Sequence, residues 1–306
     1  MKCLITGGAG FIGSHLVERL LNDGHHVTVI DNLSVGKIKN LPVHPRLIFR
    51  MADILDHISN HFEDVDVVYH LAALTRPQES ILDPVLYNIV NVQGTLKVLD
   101  HCVKHKVGRV VFVSTTALYG DQKDQPISEK ATSNPMSPYA LTKLIGEQYL
   151  QLFNKLHSLE YNVIRPFNVY GARQSIEGGY SAAVPTFINT LKGNGTPYIT
   201  GDGEQSRDFV YVKDVVDLMV LMANSTIHGE IFNAGSGTTT SINDIYAKLA
   251  KSMQSNVKPK YIDAVFEPAM TWGDIFRAER LLGWIPTTKL KEGLKLTIKQ
   301  TNENCN

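Results

Sequence analysis

The glycine-rich stretch near the amino terminus restricts the fold more than any other feature of this sequence. Residues 4–6 have the pattern of a short strand, and Gly7, Gly10 and Gly13 follow at three-residue intervals before a helical stretch. Gly8, Gly10 and Gly13 also match G-x-G-x-x-G. Glycine lets the backbone turn tightly and approach a pyrophosphate, while the helix N-terminus offers it free N–H groups. The stretch therefore predicts a βα unit that binds a dinucleotide.

Alternating β-rich and helical runs extend this prediction to the whole fold. Strands are predicted at 3–6, 26–30, 47–50, 65–70, 109–114 and 162–165, and helices at 13–23, 85–106 and 139–159. Continuously apolar strands are typical of a parallel sheet that helices cover on both faces. We expect a doubly wound α/β (Rossmann) domain over residues 1–170, rejoined by about 207–232. After residue 171, glycine-rich loops and short helices at 183–192, 242–253 and 275–282 predict a smaller substrate-binding lobe over 171–306.

Composition excludes several functional classes. Lysine plus arginine and aspartate plus glutamate each total 30 of 306 residues, so no basic field predicts binding to nucleic acid or a membrane. No apolar run is long enough to span a bilayer, and the first residues lack the pattern of a signal peptide. Cys3, Cys102 and Cys305 lie far apart without metal-ligand spacing, which predicts no disulfide or metal site and a cytoplasmic location.

Asp31 follows the second predicted strand, at the distance from the glycines where dinucleotide-binding folds carry an acid. A carboxylate at this strand tip accepts hydrogen bonds from the ribose hydroxyls and repels a 2′-phosphate, which favours NAD over NADP. A solvated turn residue is the alternative interpretation.

Tyr139 and Lys143 form the most informative pair of reactive side chains. Residues four apart share one face of a helix, and a nearby cation favours the phenolate and lowers the pKa of a tyrosine. Such a tyrosine removes the proton from a sugar or alcohol hydroxyl. Tyr119 and Lys123 repeat the spacing, but Gly120 and Asp121 between them predict a loop in which the two side chains do not converge.

Several further motifs give the sequence a family resemblance. It is similar to the extended short-chain dehydrogenases/reductases, and within them to the NAD-dependent sugar-nucleotide epimerases and dehydratases, most of all to UDP-hexose 4-epimerases. The resemblance covers nearly the whole chain. Besides the glycine loop and the Tyr139–Lys143 pair, it rests on residues 31–36, 53–54, 70–73, 114–120, 165–171 and 201–209.

The resemblance implies where NAD lies. Asn32, Ser34 and Gly36 are expected at the adenosine ribose and phosphates, with Asp53 and Ile54 at the adenine. The remaining cofactor residues are expected to line the pyrophosphate, the nicotinamide and its ribose: Gly7, Gly10, Phe11, Ile12, Gly13, Leu71, Ala72, Ala73, Thr75, Tyr139, Lys143 and Pro166.

The resemblance also implies a chemistry. Thr115 occupies the Ser/Thr position beside the catalytic tyrosine, and a threonine that only satisfies a strand end is the alternative. Dehydratases of the family carry Asp-Glu at the next two positions, and decarboxylases carry Glu at the second, where this chain has Thr116 and Ala117. Without an acid or base there, we expect oxidation at C4 and return of the hydride, which is 4-epimerisation. A dehydratase, a decarboxylase, a net dehydrogenase/reductase and a non-catalytic NAD sensor are the alternatives.

The second lobe is expected to hold a nucleoside diphosphate, UDP in particular. Arg207 matches the family arginine that binds the diphosphate, and sugar-ring contacts are expected from the loop that holds Arg76, Gln78 and Ser80. The other substrate residues are expected at Thr115, Thr116, Tyr139, Asn168, Ala183, Val184, Phe187 and Tyr198. The Arg-x-Gly-Asp element of related epimerases is reduced here to Glu267. A homodimer is expected through helices 85–106 and 139–159.

Overall fold

The computed structural model describes residues 1–176, 182–264 and 268–303 of the chain. A parallel sheet of seven strands occupies the centre. Its strands are β1 (Lys2–Thr6), β2 (His26–Asp31), β3 (Leu47–Met51), β4 (Val67–His70), β5 (Arg109–Val113), β6 (Glu160–Pro166) and β11 (Glu230–Ala234). They lie in the order β11-β6-β5-β4-β1-β2-β3, so the chain starts in the middle and builds outward in both directions.

Helices cover both faces of this sheet. They are α1 (Phe11–Asn22), α4 (Gly94–Lys104), α5 (Pro138–His157), α7 (Val212–Asn224) and α9 (Phe276–Leu282), and α2 (Pro77–Leu82) and α3 (Pro84–Asn88) pack against α5. One apolar core packs α1 and α7 on one face, with Leu16, Leu20 and Met219 wholly buried. A second core packs α4 and α5 on the other, around Leu99 and Leu150. Two covered faces explain why β1, β4 and β5 are apolar at nearly every position.

The rest of the chain builds a smaller unit at the carboxyl ends of the strands. It contains β7 (Asn168–Tyr170), β8 (Tyr198–Thr200), β9 (Ser206–Arg207), β10 (Phe209–Tyr211), β12 (Thr240–Ser241), β13 (Lys260–Ile262) and β14 (Met270–Thr271), with α6 (Ala183–Lys192), α8 (Ile242–Ser252) and α10 (Leu290–Glu303). A third apolar core joins α6, α8 and α10 to β7 and β10. The boundary at residue 170 between a cofactor domain and a substrate lobe stays a prediction.

Several elements differ from the sequence-based expectation, among them one helix and one strand of the main sheet layers. The predicted helix 85–106 is interrupted, because residues Ile89–Gln93 form a π-helical turn between α3 and α4. Strand β11 was not predicted, since Glu230-Ile-Phe-Asn-Ala is short and carries polar residues that its position at the sheet edge tolerates. None of the helices described in the structure is long and apolar enough to cross a membrane.

Candidate active site

The glycine loop between β1 and α1 has the tight packing that its sequence predicts. Gly7 has φ of +73°, and a Cβ there would lie 2.7 Å from the amide nitrogen of Ala72. A Cβ on Gly13 would lie 2.3 Å from the carbonyl oxygen of Gly7. Side chains at either position would disrupt the turn, so glycine is required by the backbone itself. The first turn of α1 thereby stays open towards a ligand phosphate.

Asp31 ends β2 beside this loop, and its carboxylate is partly satisfied by the protein. One oxygen accepts a hydrogen bond from the Ala9 amide at 2.9 Å, and the other accepts one from the Leu33 amide at 2.8 Å. Burial raises the pKa of Asp31, and these two amide donors oppose the shift. Each oxygen keeps a further lone pair, so the residue fits the two hydroxyls of an adenosine ribose. The loop and this acid together fit NAD.

A cleft of about 1160 Å³ runs from this loop across the carboxyl ends of the strands to the smaller unit. It is larger than a pocket for one small ligand, and it has room for two extended ones. All the sequence-predicted cofactor residues except Lys143 line it. Most of the predicted substrate residues line it too: Thr115, Tyr139, Asn168, Ala183, Val184, Phe187, Tyr198 and Arg207.

Four of the described residues that the sequence predicted for the site do not line the cleft: Gln78, Ser80, Thr116 and Lys143. Thr116 is turned towards the protein, where its hydroxyl donates to the carbonyl oxygen of Pro166 at 3.3 Å. Lys143 is buried behind Tyr139, with 4 % of its surface exposed. Glu267 lies outside the described residues. Val184 and Phe187 both line the cleft and belong to the apolar core of the smaller unit, so each packs in the core as well as facing the cleft.

Tyr139 and Thr115 meet at the cleft floor, where β5 ends and α5 begins. Burial raises the pKa of Tyr139, and a hydrogen bond with the Thr115 side chain opposes this shift. The sequence predicted a lowered value because of Lys143. In the structure, desolvation of the buried phenol is the largest effect, and it disfavours the phenolate.

Lys143 lies on the same face of α5, under the cleft floor. Its Nζ lies 4.5 Å from the centre of the Phe112 ring, a distance typical of a cation–π contact. Burial lowers the pKa of Lys143 to about 7, and the negative charge of Glu147 opposes this shift. Burial therefore disfavours the charged form of Lys143, and the Glu147 carboxylate favours it.

A buried ion pair that the sequence analysis missed supports this face of α5. Glu147 is 2 % exposed and accepts hydrogen bonds from Arg165 Nε at 3.0 Å and Arg165 Nη2 at 2.5 Å. The Ser114 hydroxyl donates to the same carboxylate. The signal was present, because Glu147 follows Lys143 by four residues and Arg165 opens a recognised motif. Pairing explains how two charges remain in the interior.

The π-helical turn of residues Ile89–Gln93 provides a second support that the sequence did not reveal. Asn91 is 2 % exposed and exchanges two hydrogen bonds with the backbone of Leu74, at 2.8 and 2.9 Å. Its amide also donates to the Thr142 hydroxyl at 3.0 Å. Asn91 thus fixes the segment after β4 against α5, which agrees with the frequent presence of π turns at functional sites.

The second Tyr-x-x-x-Lys copy has a structural position instead. Tyr119 is completely buried, and its hydroxyl donates to the side-chain oxygen of Asn233 at 2.7 Å. It lies in a short 3₁₀ turn, Thr116–Tyr119, and packs under the Arg165 guanidinium. Tyr119 does not line the cleft, so the copy offers no base to a ligand there.

Arg207 reaches the cleft from the smaller unit, and a buried neighbour fixes its strand. Asp208 accepts hydrogen bonds from the amides of Ser236, Gly237 and Gly273 and from the Ser236 hydroxyl. These bonds join three separate segments at the base of β9. A guanidinium on such a support suits a phosphate ligand, because its planar donors match phosphate oxygens.

Comparisons with known proteins agree with this geometry. The model of the NAD dependent epimerase/dehydratase family matches residues 3–235. A putative UDP-glucose 4-epimerase of Methanocaldococcus jannaschii is 38 % identical, with 98 % of each chain covered. A solved UDP-N-acetylglucosamine 4-epimerase of Methanobrevibacter ruminantium, in complex with UDP-N-acetylmuramic acid, is 35 % identical with a TM-score of 0.96, covering 99 % of this chain and 98 % of that one.

A solved UDP-glucose 4-epimerase of Thermotoga maritima, with UDP-glucose, is likewise 35 % identical, with a TM-score of 0.93 over the full length of both chains. The resemblance and the fold class predicted from the sequence are confirmed, and so is NAD as the cofactor. The chain belongs to the NAD dependent epimerase/dehydratase family.

Proposed function

We propose that this protein is an NAD-dependent 4-epimerase of a nucleotide sugar, with a UDP-hexose of the glucose, N-acetylhexosamine or glucuronate type as substrate. The observation that carries the proposal is the charge distribution along the cleft. Among the described residues that line it, the carboxylates are Asp31, which ends β2, and Asp53, which follows β3, both at the cofactor end. At the cleft floor, Tyr139 and Thr115 form a proton-transfer pair, and no described lining residue there is a carboxylate.

The site residues divide the work of such a reaction. Bound NAD supplies a hydride acceptor that returns the hydride within the same cycle. Tyr139 acts as its phenolate, which accepts the proton of the C4 hydroxyl as C4 is oxidised, and the resulting phenol gives the proton back as C4 is reduced. The Thr115 hydroxyl, bonded to Tyr139, keeps that proton in place. Burial lowers the pKa of Lys143 to about 7. In its charged form, Lys143 lies on the same face of α5 as Tyr139 and stabilises the phenolate.

Inversion requires that the keto sugar turn over inside the site, while its diphosphate stays bound. Arg207 supplies that anchor from the smaller unit, with Asn168 beside it. The lyases of the family need a further acid or base at the sugar. Position 116 donates a hydrogen bond to the backbone and position 117 is alanine, so neither position supplies one. This difference favours epimerisation over dehydration or decarboxylation.

A panel of nucleotide sugars tests the proposal. We expect the purified protein with NAD to convert one or more UDP-hexoses into the C4 epimer, seen by NMR as new anomeric signals. Absorbance at the NADH maximum stays flat, because the hydride returns to the sugar. Matched dTDP- and GDP-sugars are the control for the nucleotide. Accumulation of NADH, of a 4-keto sugar or of a pentose would contradict the epimerase assignment.

We further propose that the protein is a homodimer. Exposed apolar side chains cluster where α3 meets the start of α5, with Leu82 86 % exposed, Val85 67 % and Met136 57 %. A shallow groove in the same region is lined by Pro84, Met136, Pro138 and Leu141. Exposed apolar side chains grouped in this way are typical of a protein contact. The equivalent patch of a second copy, related by two-fold symmetry, is the occupant that we infer.

Sedimentation of two charge variants tests this interface. Val85→Asp combined with Leu141→Asp places carboxylates inside the patch, so we expect the sedimentation coefficient to fall from the dimer value to the monomer value. Val43→Asp, at a fully exposed side chain that does not line the groove, is the control and leaves the coefficient unchanged. A monomeric parent protein at micromolar concentration would contradict the proposal.

We also propose that the reaction takes place in the cytoplasm. Cys3 and Cys102 are buried and unbridged, and burial raises the pKa of both thiols, which keeps them unreactive. Cys305 lies outside the described residues.

A further inference from the structure

The first turn of α5 holds the tyrosine of the proposed reaction, and its backbone donors are satisfied in an unusual way. The first N–H groups of a helix have no partner within it. Pro138 lacks an N–H, and the Ala140 amide donates to the N-cap residue Ser137 at 3.2 Å. The Tyr139 amide donates instead to the Ser80 hydroxyl at 3.1 Å, on a different element 59 residues away. The backbone of the tyrosine is therefore fixed from outside its own helix.

Ser80 is well suited to fix that position. It lies in α2, not in the loop that the sequence predicted, and it is completely buried. Its hydroxyl donates to the Pro77 carbonyl oxygen at 2.5 Å while it accepts from Tyr139. Because both its proton and a lone pair are engaged, the side chain is restricted to one orientation. Ser80 does not line the cleft, so the expectation that it contacts the sugar ring was wrong.

The segment that Ser80 holds is one wall of the cleft. Thr75, Arg76 and Pro77 line the cleft beside Tyr139, and the Arg76 amide donates to the Tyr87 hydroxyl at 3.1 Å. Asn91 holds Leu74, the residue before this wall, against Thr142 of α5. The wall is thus attached to α5 at both ends. At the Ser80 end, the attachment is to Tyr139 itself.

We propose that Ser80 is a positioning residue that sets the distance between this cleft wall and the Tyr139 phenol. The inference rests on the proposed function, since the sugar must lie between the wall and the phenol. Reacting groups must be held within a fraction of an ångström, and a misplacement of about 1 Å costs about a hundredfold in rate. Loss of the Ser80 bond shifts the tyrosine relative to the wall without removing any group that binds the nucleotide.

A pair of matched variants tests the proposal. Ser80→Ala and Ser137→Ala each delete one hydroxyl that caps the same helix end, so both are expected to lower Tm by roughly 1–4 °C. Ser80→Ala is expected to lower kcat by about 10- to 100-fold with KM for the nucleotide sugar changed less than about threefold. The Ser137 hydroxyl accepts from the Ala140 amide, whereas the Tyr139 amide donates to Ser80, so Ser137→Ala is expected to keep kcat within about twofold.

The outcomes separate the possible failures. Equal loss of kcat in both variants would show that Ser80 acts only as a helix cap. An unchanged kcat in Ser80→Ala would show that Ser80 does not position Tyr139. Either result overturns the inference. If Ser80→Ala does not fold, Ser80→Cys preserves the volume with a weak acceptor, and a parent-like kcat there overturns it too. A parent protein that epimerises no nucleotide sugar contradicts the proposed function instead.

Discussion

Replacing Tyr139 by phenylalanine is expected to lower turnover of the nucleotide sugar by about 10²- to 10⁴-fold, the range that a positioned proton-transfer group contributes. The variant removes the phenol oxygen and keeps the ring, which is 7 % exposed on the cleft floor. The backbone bond to Ser80 survives, because it uses the Tyr139 amide. Initial rates from NMR, with NAD and substrate saturating, measure the loss. Binding of substrate, by calorimetry, is expected to change little.

Tyr119→Phe is the matched control for this prediction. It deletes the same oxygen from the other Tyr-x-x-x-Lys copy, where the hydroxyl donates to Asn233 away from the cleft. Because a buried acceptor loses its donor, we expect a stability loss of about 1–3 kcal/mol with turnover retained. Parent-like turnover in Tyr139→Phe, or equal losses in the two variants, would refute Tyr139 as the base.

Glu147→Ala is expected to destabilise the protein by about 3–5 kcal/mol, the cost of leaving a buried partner charge uncompensated. Arg165 is 4 % exposed, and two of its nitrogens donate to this carboxylate. The Ser114 hydroxyl loses its acceptor as well. Against a typical total stability of about 5–15 kcal/mol, this is a large fraction. Urea unfolding followed by circular dichroism measures it.

A double variant distinguishes the loss of a partner from the loss of volume. Replacing a buried ion pair by apolar residues of similar size is often neutral or stabilising. We therefore expect Glu147→Leu with Arg165→Met to recover most of the stability that Glu147→Ala loses. A single-variant loss below about 1 kcal/mol, or a double variant no more stable than the single one, would contradict this account of the pair.

The sequence predicted those parts of the molecule that depend on local patterns. The glycine loop, Asp31 and the Tyr139–Lys143 spacing are short-range signals. The structure brings the loop, Asp31 and Tyr139 to one cleft, with Lys143 buried under its floor. The fold class followed from strand–helix alternation and was confirmed. The individual roles of these site residues in binding and catalysis stay predictions.

What the sequence did not predict depends on contacts between distant segments. Ser80 meets Tyr139 across 59 residues, and Asn233 meets Tyr119 across 114. The π turn around Asn91 has no pattern that separates it from an ordinary helix. The sequence-based prediction that the pKa of Tyr139 is lowered was wrong. Burial raises this pKa, and the spacing of residues in the sequence does not reveal burial.

The position of β11 has a consequence for how the chain is synthesised. This strand pairs with β6, although 63 residues lie between the two strands in sequence. Those residues include α7 and part of the smaller unit. While the ribosome adds that stretch, β6 is an open sheet edge, and the apolar face that α7 later covers is exposed to water. The sheet therefore cannot be completed before most of the chain has emerged, and the two units mature together rather than in succession.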